Sequence, residues 1–415
     1  MRCFGLRLAA LLLATPFLLQ SPALRAETPA VAQHSEAEQA NALIAQARRI
    51  VSDNFYNPDG LAPFLSTLDG AQVSTRAEAG RVIDQALAAL GVSHTIRLTP
   101  DSIEYFELMD VFRPAGTNER NETIVPGGHI NYDGIGLVTR EIEGRLFAAM
   151  IYHGSAADKA GIRRGDEILS IDGKPYDAIA SFKDRAGMPV TVSLRRHANA
   201  APQDITVTVA NIAPGESLRD AIRNSVRIFE RDGQTIGYLR VWTFASRGMY
   251  PLLTRLLSSE PLRSADGLVL DLRSRWGGTA SEAADLFLGR SREMSIVNRK
   301  GRETVVVTRW RKPLVAIIDQ GTRSSMEIFA HSLQQAGIAL IGTRSAGAVL
   351  AARGFMLDDN SLIVLAVNDV KIDGERMEGS GVTPDIVVEQ DLRFSDGADP
   401  QFDRALQELG KRLTN

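Results

Sequence analysis

Two adjacent serines, Ser324 and Ser325, stand where a strand pattern hands over to a helix pattern. Upstream, Pro313-Leu-Val-Ala-Ile-Ile-Asp319 has the length and bounds of a buried strand; downstream, Ile328, Phe329, Leu333 and Ala336 recur at helical spacing. A helix N-terminus offers free backbone N–H groups and the positive end of the helix dipole, which favour developing negative charge. A serine nucleophile needs such a place, because its tetrahedral intermediate carries an oxyanion. The same residues also fit a plainer role: Ser324-x-x-Glu327 is a capping box, which requires no chemistry.

A second group capable of chemistry is Val92-Ser93-His94-Thr95, directly after a helix of about residues 77–90 that closes at Gly91. A neutral imidazole accepts a proton near pH 7, so His94 is a candidate general base. A histidine beside a helix end also serves as a cap or a satisfied core residue.

Composition sets the frame. The chain has 415 residues, enough for two or three domains, with ordinary hydrophobic (44%) and charged (23%) content. A net charge of -3 gives no reason to expect nucleic acid or an anionic membrane as partner. Residues 1–26 read as a secretory signal: two arginines in Met1–Arg7, an apolar stretch Leu8–Gln20, and small residues for cleavage after Ala23 or Ala26. No later stretch is long and apolar enough to span a bilayer. Cys3, the only cysteine, would leave with the signal, which excludes disulfides and thiolate chemistry in the exported chain. The expected location is the periplasm or beyond.

The elements that must position these residues fall into blocks. Residues 27–112 read as a helical N-terminal segment, with one apolar face along Ser35–Asn54 and a second helix ending before the histidine loop. Residues 113–213 begin as a polar linker and continue as short strands and turns, closing with alternation at Val190–Arg195 and Asp204–Val209. Residues 214–396 alternate strand and helix, which implies parallel strands joined by right-handed crossovers. Residues 397–415 end the chain with a helix at about Phe402–Leu413.

The run from Gly134-Ile-Gly-Leu137 through Arg164-Gly-Asp-Glu-Ile-Leu-Ser-Ile-Asp-Gly173 resembles a PDZ domain of the bacterial protease-associated kind. The resemblance implies that Gly134, Ile135, Gly136 and Leu137 form a carboxylate-binding loop, beside which a peptide C-terminus adds as a strand. GLVLDLRSRWGG, GTRSSMEIF and GSGVTPDIVV, in that order behind it, resemble the C-terminal processing peptidases, also called tail-specific proteases. That resemblance covers nearly all of the exported chain and implies a crotonase-like or ClpP-like α/β core. It makes Ser324 the nucleophile, and assigns oxyanion N–H groups to Gly277 or Gly278 and to Ser325. Asp271, at a strand end, is expected to hold the glycine turn.

Two departures follow. The family's lysine base falls at Ala348, and no lysine occurs between Lys312 and Lys371; the asparagines of its glycine turn are replaced by Ser274 and Arg275. A branch typified by tricorn protease is similar in another way, drawing its base from a Ser-His pair and a glutamate before Gly-Val-x-Pro-Asp. By that resemblance His94 is the base, and Glu378 orients it, directly or through Ser93. The expectation is an exported serine endopeptidase acting on polypeptides with free C-termini, without metal or organic cofactor. Its kcat/KM should fall as pH drops through roughly 6 to 7. An adaptor partner and self-association stay open. The rival readings are a catalytically inert PDZ peptide-binding adaptor and, on the same core, an oxyanion-hole lyase or hydratase.

Overall fold

The computed structural model describes residues 35–112, 130–245, 248–273, 276–278, 281–289, 293–307 and 309–414. The secretory signal expected at 1–26, the polar linker expected from residue 113, and Ser274 and Arg275 lie outside the described residues. Residues Glu36–Asn415 form one compact unit.

The chain begins with α1 (Glu36–Asn54), α2 (Ala62–Asp69) and α3 (Arg76–Ala89), then β1 (Ile96–Leu98) and α4 (Ile103–Val111). The apolar face expected on α1 is buried through Ala40, Leu43, Ile44, Ala47 and Val51. α3 starts at a reciprocal capping box, with Glu78 N–H on Thr75 Oγ1 (3.2 Å) and Thr75 N–H on Glu78 Oε2 (3.1 Å). The periodicity reading does not resolve α2 or α4, which are short and mixed in character.

A β-rich block follows: β2 (Tyr132–Gly134), β3 (Leu137–Ile142), β4 (Arg145–Ile151), α5 (Ala156–Lys159), β5 (Glu167–Ile171), β6 (Pro189–Arg195), β7 (Gln203–Thr208) and β8 (Ala210–Ile212). β3 to β7 form a five-stranded sheet in chain order, antiparallel throughout, and β2 pairs with β8 at the base of the block. Its core is built from Leu137, Ala148, Ile168, Val192, Leu194 and Val207.

The remaining elements are α6 (Pro214–Ser225), β9 (Arg227–Arg231), β10 (Gln234–Arg240), α7 (Met249–Ser258), β11 (Gly267–Asp271), α8 (Ser281–Leu288), β12 (Glu293–Val297), β13 (Glu303–Val307), β14 (Leu314–Ile318), α9 (Ser325–Gln335) and β15 (Leu340–Gly342). After them come β16 (Ala351–Met356), β17 (Leu362–Asn368), β18 (Lys371–Ile372), β19 (Glu375–Arg376), β20 (Ile386–Val387) and α10 (Pro400–Thr414). The main sheet runs β20-β15-β14-β11-β10-β9. All pairings in it are parallel except the β9–β10 hairpin.

Alternate residues of its central strands enter different cores. Leu268, Leu270, Ala316 and Ile318 pack on the side of α7, α8 and α9, while Val269, Val315 and Ile317 pack on the side of α10. Coverage on both faces is why β11 and β14 read as unbroken apolar runs. The C-terminal ends of β11, β14 and β15 therefore open on one edge of the sheet, where ligand sites of open parallel sheets form.

A second, smaller sheet, β1-β17-β16, carries the N-terminal helices: Ile363, Leu365 and Ala366 share one core with α1 and α3. This sheet brings the start of the chain to within reach of segments nearly three hundred residues later. If that shared core is one cooperative unit, Ile363→Ala should cost about 2–5 kcal/mol and loosen α1 together with β16–β17. Urea unfolding with hydrogen exchange would show it; exchange confined to β16–β17 would contradict a shared core.

Candidate active site

The loop after β14 is held before the helix begins. Asp319 Oδ1 accepts from Gly321 N–H (2.8 Å), and Thr322 Oγ1 donates to the carbonyl of Leu272 at the end of β11 (3.0 Å). Ser324 follows with φ 58 and ψ −137, whereas the other capping residues Thr75 and Ser102 are extended at φ −132 and −122. A true N-cap has β-region geometry. Ser324 instead occupies a left-handed conformation that costs a side-chain-bearing residue energy and clusters at functional sites. Glu327 does reach back to Ser324 N–H (3.2 Å), so one half of the capping box exists. The backbone at Ser324 is nonetheless not that of a simple cap.

Gly277 packs directly on this corner. A Cβ there would stand 2.6 Å from Ser324 Cβ, 2.7 Å from Ser325 N and 2.8 Å from Ser324 Oγ, so only glycine admits the approach. Its carbonyl is pinned by Phe244 N–H (2.8 Å) and Thr243 Oγ1 (3.1 Å). Gly278 bridges to Phe244 with φ 111, against the backbone of Ala245. Gly277 and the N-terminus of α9 thus face one another across Ser324 Oγ.

Glu327 is fully buried and organises the loop after β15. It accepts from Ser345 Oγ (2.5 Å), Gly347 N–H (2.7 Å) and Ala348 N–H (2.8 Å). Ala348 returns its carbonyl to Ser324 N–H (2.7 Å). Ala348 is itself buried, packed into this ring of hydrogen bonds. Lys371 sits exposed on the short β18 strand.

The residues after Ala348 lead to the histidine loop. Glu378 Oε2 accepts from Val349 N–H (2.9 Å) and from Ser93 Oγ (3.0 Å), and Oε1 accepts from Ser93 N–H (3.0 Å). Ser93 Oγ lies 2.9 Å from His94 Nδ1. The hydroxyl has one proton; given to the carboxylate, it leaves an oxygen lone pair to accept from Nδ1–H. His94 is then the Nδ1–H tautomer, with the lone pair on Nε2. Glu378 therefore reaches the imidazole through Ser93 and not directly. β1 fixes the loop from below, pairing Ile96 with Val364 of β17.

Burial lowers the His94 pKa to about 4, assisted by the nearby charge of Arg323 and opposed by Glu378. The ring is neutral over the whole physiological range.

Asp271 carries no free function. It is fully buried, takes Tyr238 OH (2.7 Å), and binds both the backbone N–H (3.0 Å) and the guanidinium of Arg273 (2.7 Å). Its bonds hold Tyr238 and Arg273 at the end of β11.

In the PDZ-like block, Gly134–Leu137 is buried, with the Gly136 carbonyl accepting from Tyr152 N–H (3.0 Å) and that of Ile135 from Ala157 N–H (2.9 Å). β3, which the loop feeds, is the edge strand of its sheet, open for a further strand. A cleft of about 690 Å³ lies between the loop and α6, lined by Gly136, His153, Ser155, Lys159, Glu216 and Asn224 and including neither Ser324 nor His94. Among the described residues no helix is long and apolar enough to cross a membrane, and no group of three or more His, Cys, Asp or Glu could hold a metal.

A serine at positive φ at the mouth of a helix, facing a glycine turn and joined by one loop to a Ser–His–Glu chain, forms one cluster on an open α/β core. Residues 235–388 match Peptidase family S41, and residues 149–184 match the PDZ domain. A carboxyl-terminal-processing protease of Synechocystis sp. is 30% identical over 277 residues, covering 62% of this chain and 63% of the relative, so the chain spans less than two thirds of that protein's length. By structure, a photosystem II D1 C-terminal processing protease superposes with TM-score 0.51 at 20% identity, over 89% of this chain and 97% of the other. Tricorn protease superposes with TM-score 0.53 at 19% identity, over 91% of this chain and 37% of the other; at such identities these two likenesses concern the fold. The match to Peptidase family S41 thus falls on the open α/β core that carries Ser324, and the PDZ match on the β-rich block before it.

Sequence reasoning took Glu327 for a cap and missed its grip on residues 345–348. The signal was the small-residue run Ser345-Ala-Gly-Ala348, which carries few side chains and many backbone donors. The histidine environment yields a prediction. The His94 ring should titrate by NMR near pH 4 instead of 6.5, and Glu378→Gln, which removes the charge that raises it, should move the midpoint lower still. His153, lowered to about 4 by burial and Arg240, should behave alike. Folded pKa values below the unfolded value mean that the unfolded chain binds these protons first. The stability these groups supply is complete above pH 6.5 and is lost as pH falls from there through 4. A His94 midpoint at or above 6.5 would contradict the buried, neutral ring.

Proposed function

We propose that this protein is an exported serine endopeptidase that cleaves polypeptides near their C-termini, with Ser324 as nucleophile and His94 as general base. The observation that carries the reading is the hydrogen-bonded set Glu378–Ser93–His94, tied through Val349 and Ala348 to a serine in a left-handed backbone. The match to Peptidase family S41 supports the reaction class; export rests on the residue pattern of 1–26.

In the proposed reaction Ser324 Oγ attacks the scissile carbonyl while His94 Nε2 takes its proton. The imidazolium is stabilised by Nδ1–H on Ser93 Oγ, whose own proton lies toward the Glu378 carboxylate. The carbonyl oxygen, now an anion, is met by N–H groups of the Gly277–Gly278 turn and of Ser325 at the α9 N-terminus. Collapse breaks the C–N bond, His94 returns the proton to the leaving amine, and water, deprotonated by the same imidazole, releases the acyl group from Ser324.

The edge strand β3 and the loop before it suit capture of an extended peptide C-terminus. Amidating a substrate's terminal carboxylate should therefore weaken binding, because backbone donors lose a charged acceptor. Equal handling of acid and amide peptides would count against terminal capture.

The low His94 pKa revises the pH expectation. The acid limb of kcat/KM belongs well below pH 6, toward 4, and not between 6 and 7. Ser324→Ala should remove turnover and fluorophosphonate labelling. His94→Ala should cost nearly as much, on the order of 10⁶-fold, with a smaller loss for Glu378→Gln; Lys371→Ala should stay near wild type. Absence of labelling in the wild-type protein would favour an inert peptide-binding adaptor, and wild-type activity in His94→Ala would remove the base assignment.

A further inference from the structure

One buried carboxylate stands outside the chemistry just described. Glu107 lies on α4, between the buried residues Ile103, Tyr105, Met109 and Val111, and is 1% exposed. Its two oxygens serve two different parts of the molecule. Oε1 accepts from the Tyr152 hydroxyl, and Oε2 accepts from Trp276 Nε1 at 2.6 Å. Tyr152 is the residue whose backbone N–H holds the Gly136 carbonyl in the PDZ loop (3.0 Å). Trp276 immediately precedes Gly277, the residue against Ser324 Oγ and Ser325 N.

We propose that Glu107 is a positioning residue that couples Tyr152, and through it the Gly134–Leu137 loop, to the Trp276–Gly277 turn beside the nucleophile. The proposal rests on the peptidase reading for its catalytic consequence, though not for the coupling itself.

The chemistry favours a carboxylate here over any other group. Two donors converge, and only an ionised Glu presents an acceptor on both oxygens; Gln would set an NH₂ against one of them. A carboxylate so deeply buried is costly unless both oxygens are satisfied, so Glu107 fixes the spacing of its partners as firmly as they fix it. Aromatic packing makes the link stiff. Tyr152 meets Trp242 edge-on at 4.8 Å, and Trp276 meets Phe112 edge-on at 6.4 Å. Trp242 directly precedes Thr243 and Phe244, which pin the Gly277 carbonyl. A displacement of Tyr152 thus reaches the glycine turn by two routes, the carboxylate and the strand end after β10.

The experiment follows the Trp276 indole N–H and the Gly277 amide by ¹⁵N NMR in the full exported chain, with Trp276 assigned from Trp276→Phe. Glu107→Gln should shift both resonances. Tyr152→Phe, which keeps the Glu107 carboxylate that accepts from Trp276 Nε1, should shift them in the same sense. Glu107→Gln should lower kcat about ten- to a hundredfold, below the cost of losing an oxyanion donor outright, with KM within about threefold. Tyr152→Phe should lower kcat in the same direction and by less. Unmoved Trp276 and Gly277 resonances in Tyr152→Phe would overturn the coupling. A kcat within twofold of wild type in a Glu107→Gln protein whose indole resonance has moved would overturn the positioning role. If the wild-type protein hydrolyses no peptide, the peptidase reading fails, and the resonances alone decide the coupling.

Discussion

The site hangs on one buried carboxylate. Glu327 is stripped of water and gains four donors: Ser345 Oγ, the N–H groups of Gly347 and Ala348, and Ser324 N–H. An isolated carboxylate in that position would be very costly to bury, whereas one with every lone pair engaged rigidifies whatever carries the donors. Those donors belong to Ser324 and to the loop after β15. The loop then closes back on Ser324 N–H through Ala348 and extends to Glu378 through Val349. Loosening Glu327 would therefore release Ser324 from one side and the histidine chain from the other.

This arrangement gives a physical account of Ala348. In the resemblance to the lysine-using peptidases, that position carries the base. Here its side chain is buried and its backbone is doubly committed, to Glu327 and to Ser324. The methyl group leaves the small-residue loop free to pack tightly, and in the proposed reaction proton acceptance falls to a residue from another part of the chain. His94 is delivered by β1 pairing with β17, an interaction that costs chain entropy over the intervening residues and is repaid by the shared core around Ile363 and Leu365.

Asp271 and Arg273, also buried, serve the sheet edge. Burial alone would raise the Asp271 pKa, but Arg273 and Arg240 overcome it and hold the carboxyl well below its usual range. Asp399, at the start of α10, is lowered as well: burial raises it, and Arg273 outweighs that. Carboxylates depressed in this way stabilise the fold above about pH 4 and lose that contribution as pH falls through their folded values. Their effect is local: Arg273 ties the end of β11 to the N-terminus of α10.

How much of this was legible in the sequence follows from the range of the forces involved. β11 and β14 announce themselves because a strand covered on both faces must be apolar throughout, and α1 and α3 because one face must be. The nucleophile corner was legible as a strand-to-helix handover, since turn, cap and helix signals are local. Its strained φ was not: that is imposed by Gly277 from one side and Ala348 from the other, residues distant in the chain. Ser93, His94 and Glu378 could be paired only by resemblance, since no local rule joins residues 285 positions apart. The same limit hid the direction of the His94 shift. Spacing shows that an imidazole exists, but its basicity is set by burial and by Arg323, which only the folded chain supplies. The glycine turn packs on the serine corner, and the serine corner, the small-residue loop and the histidine chain are joined by hydrogen bonds between residues distant in the chain, so their arrangement depends on long-range closure of the fold.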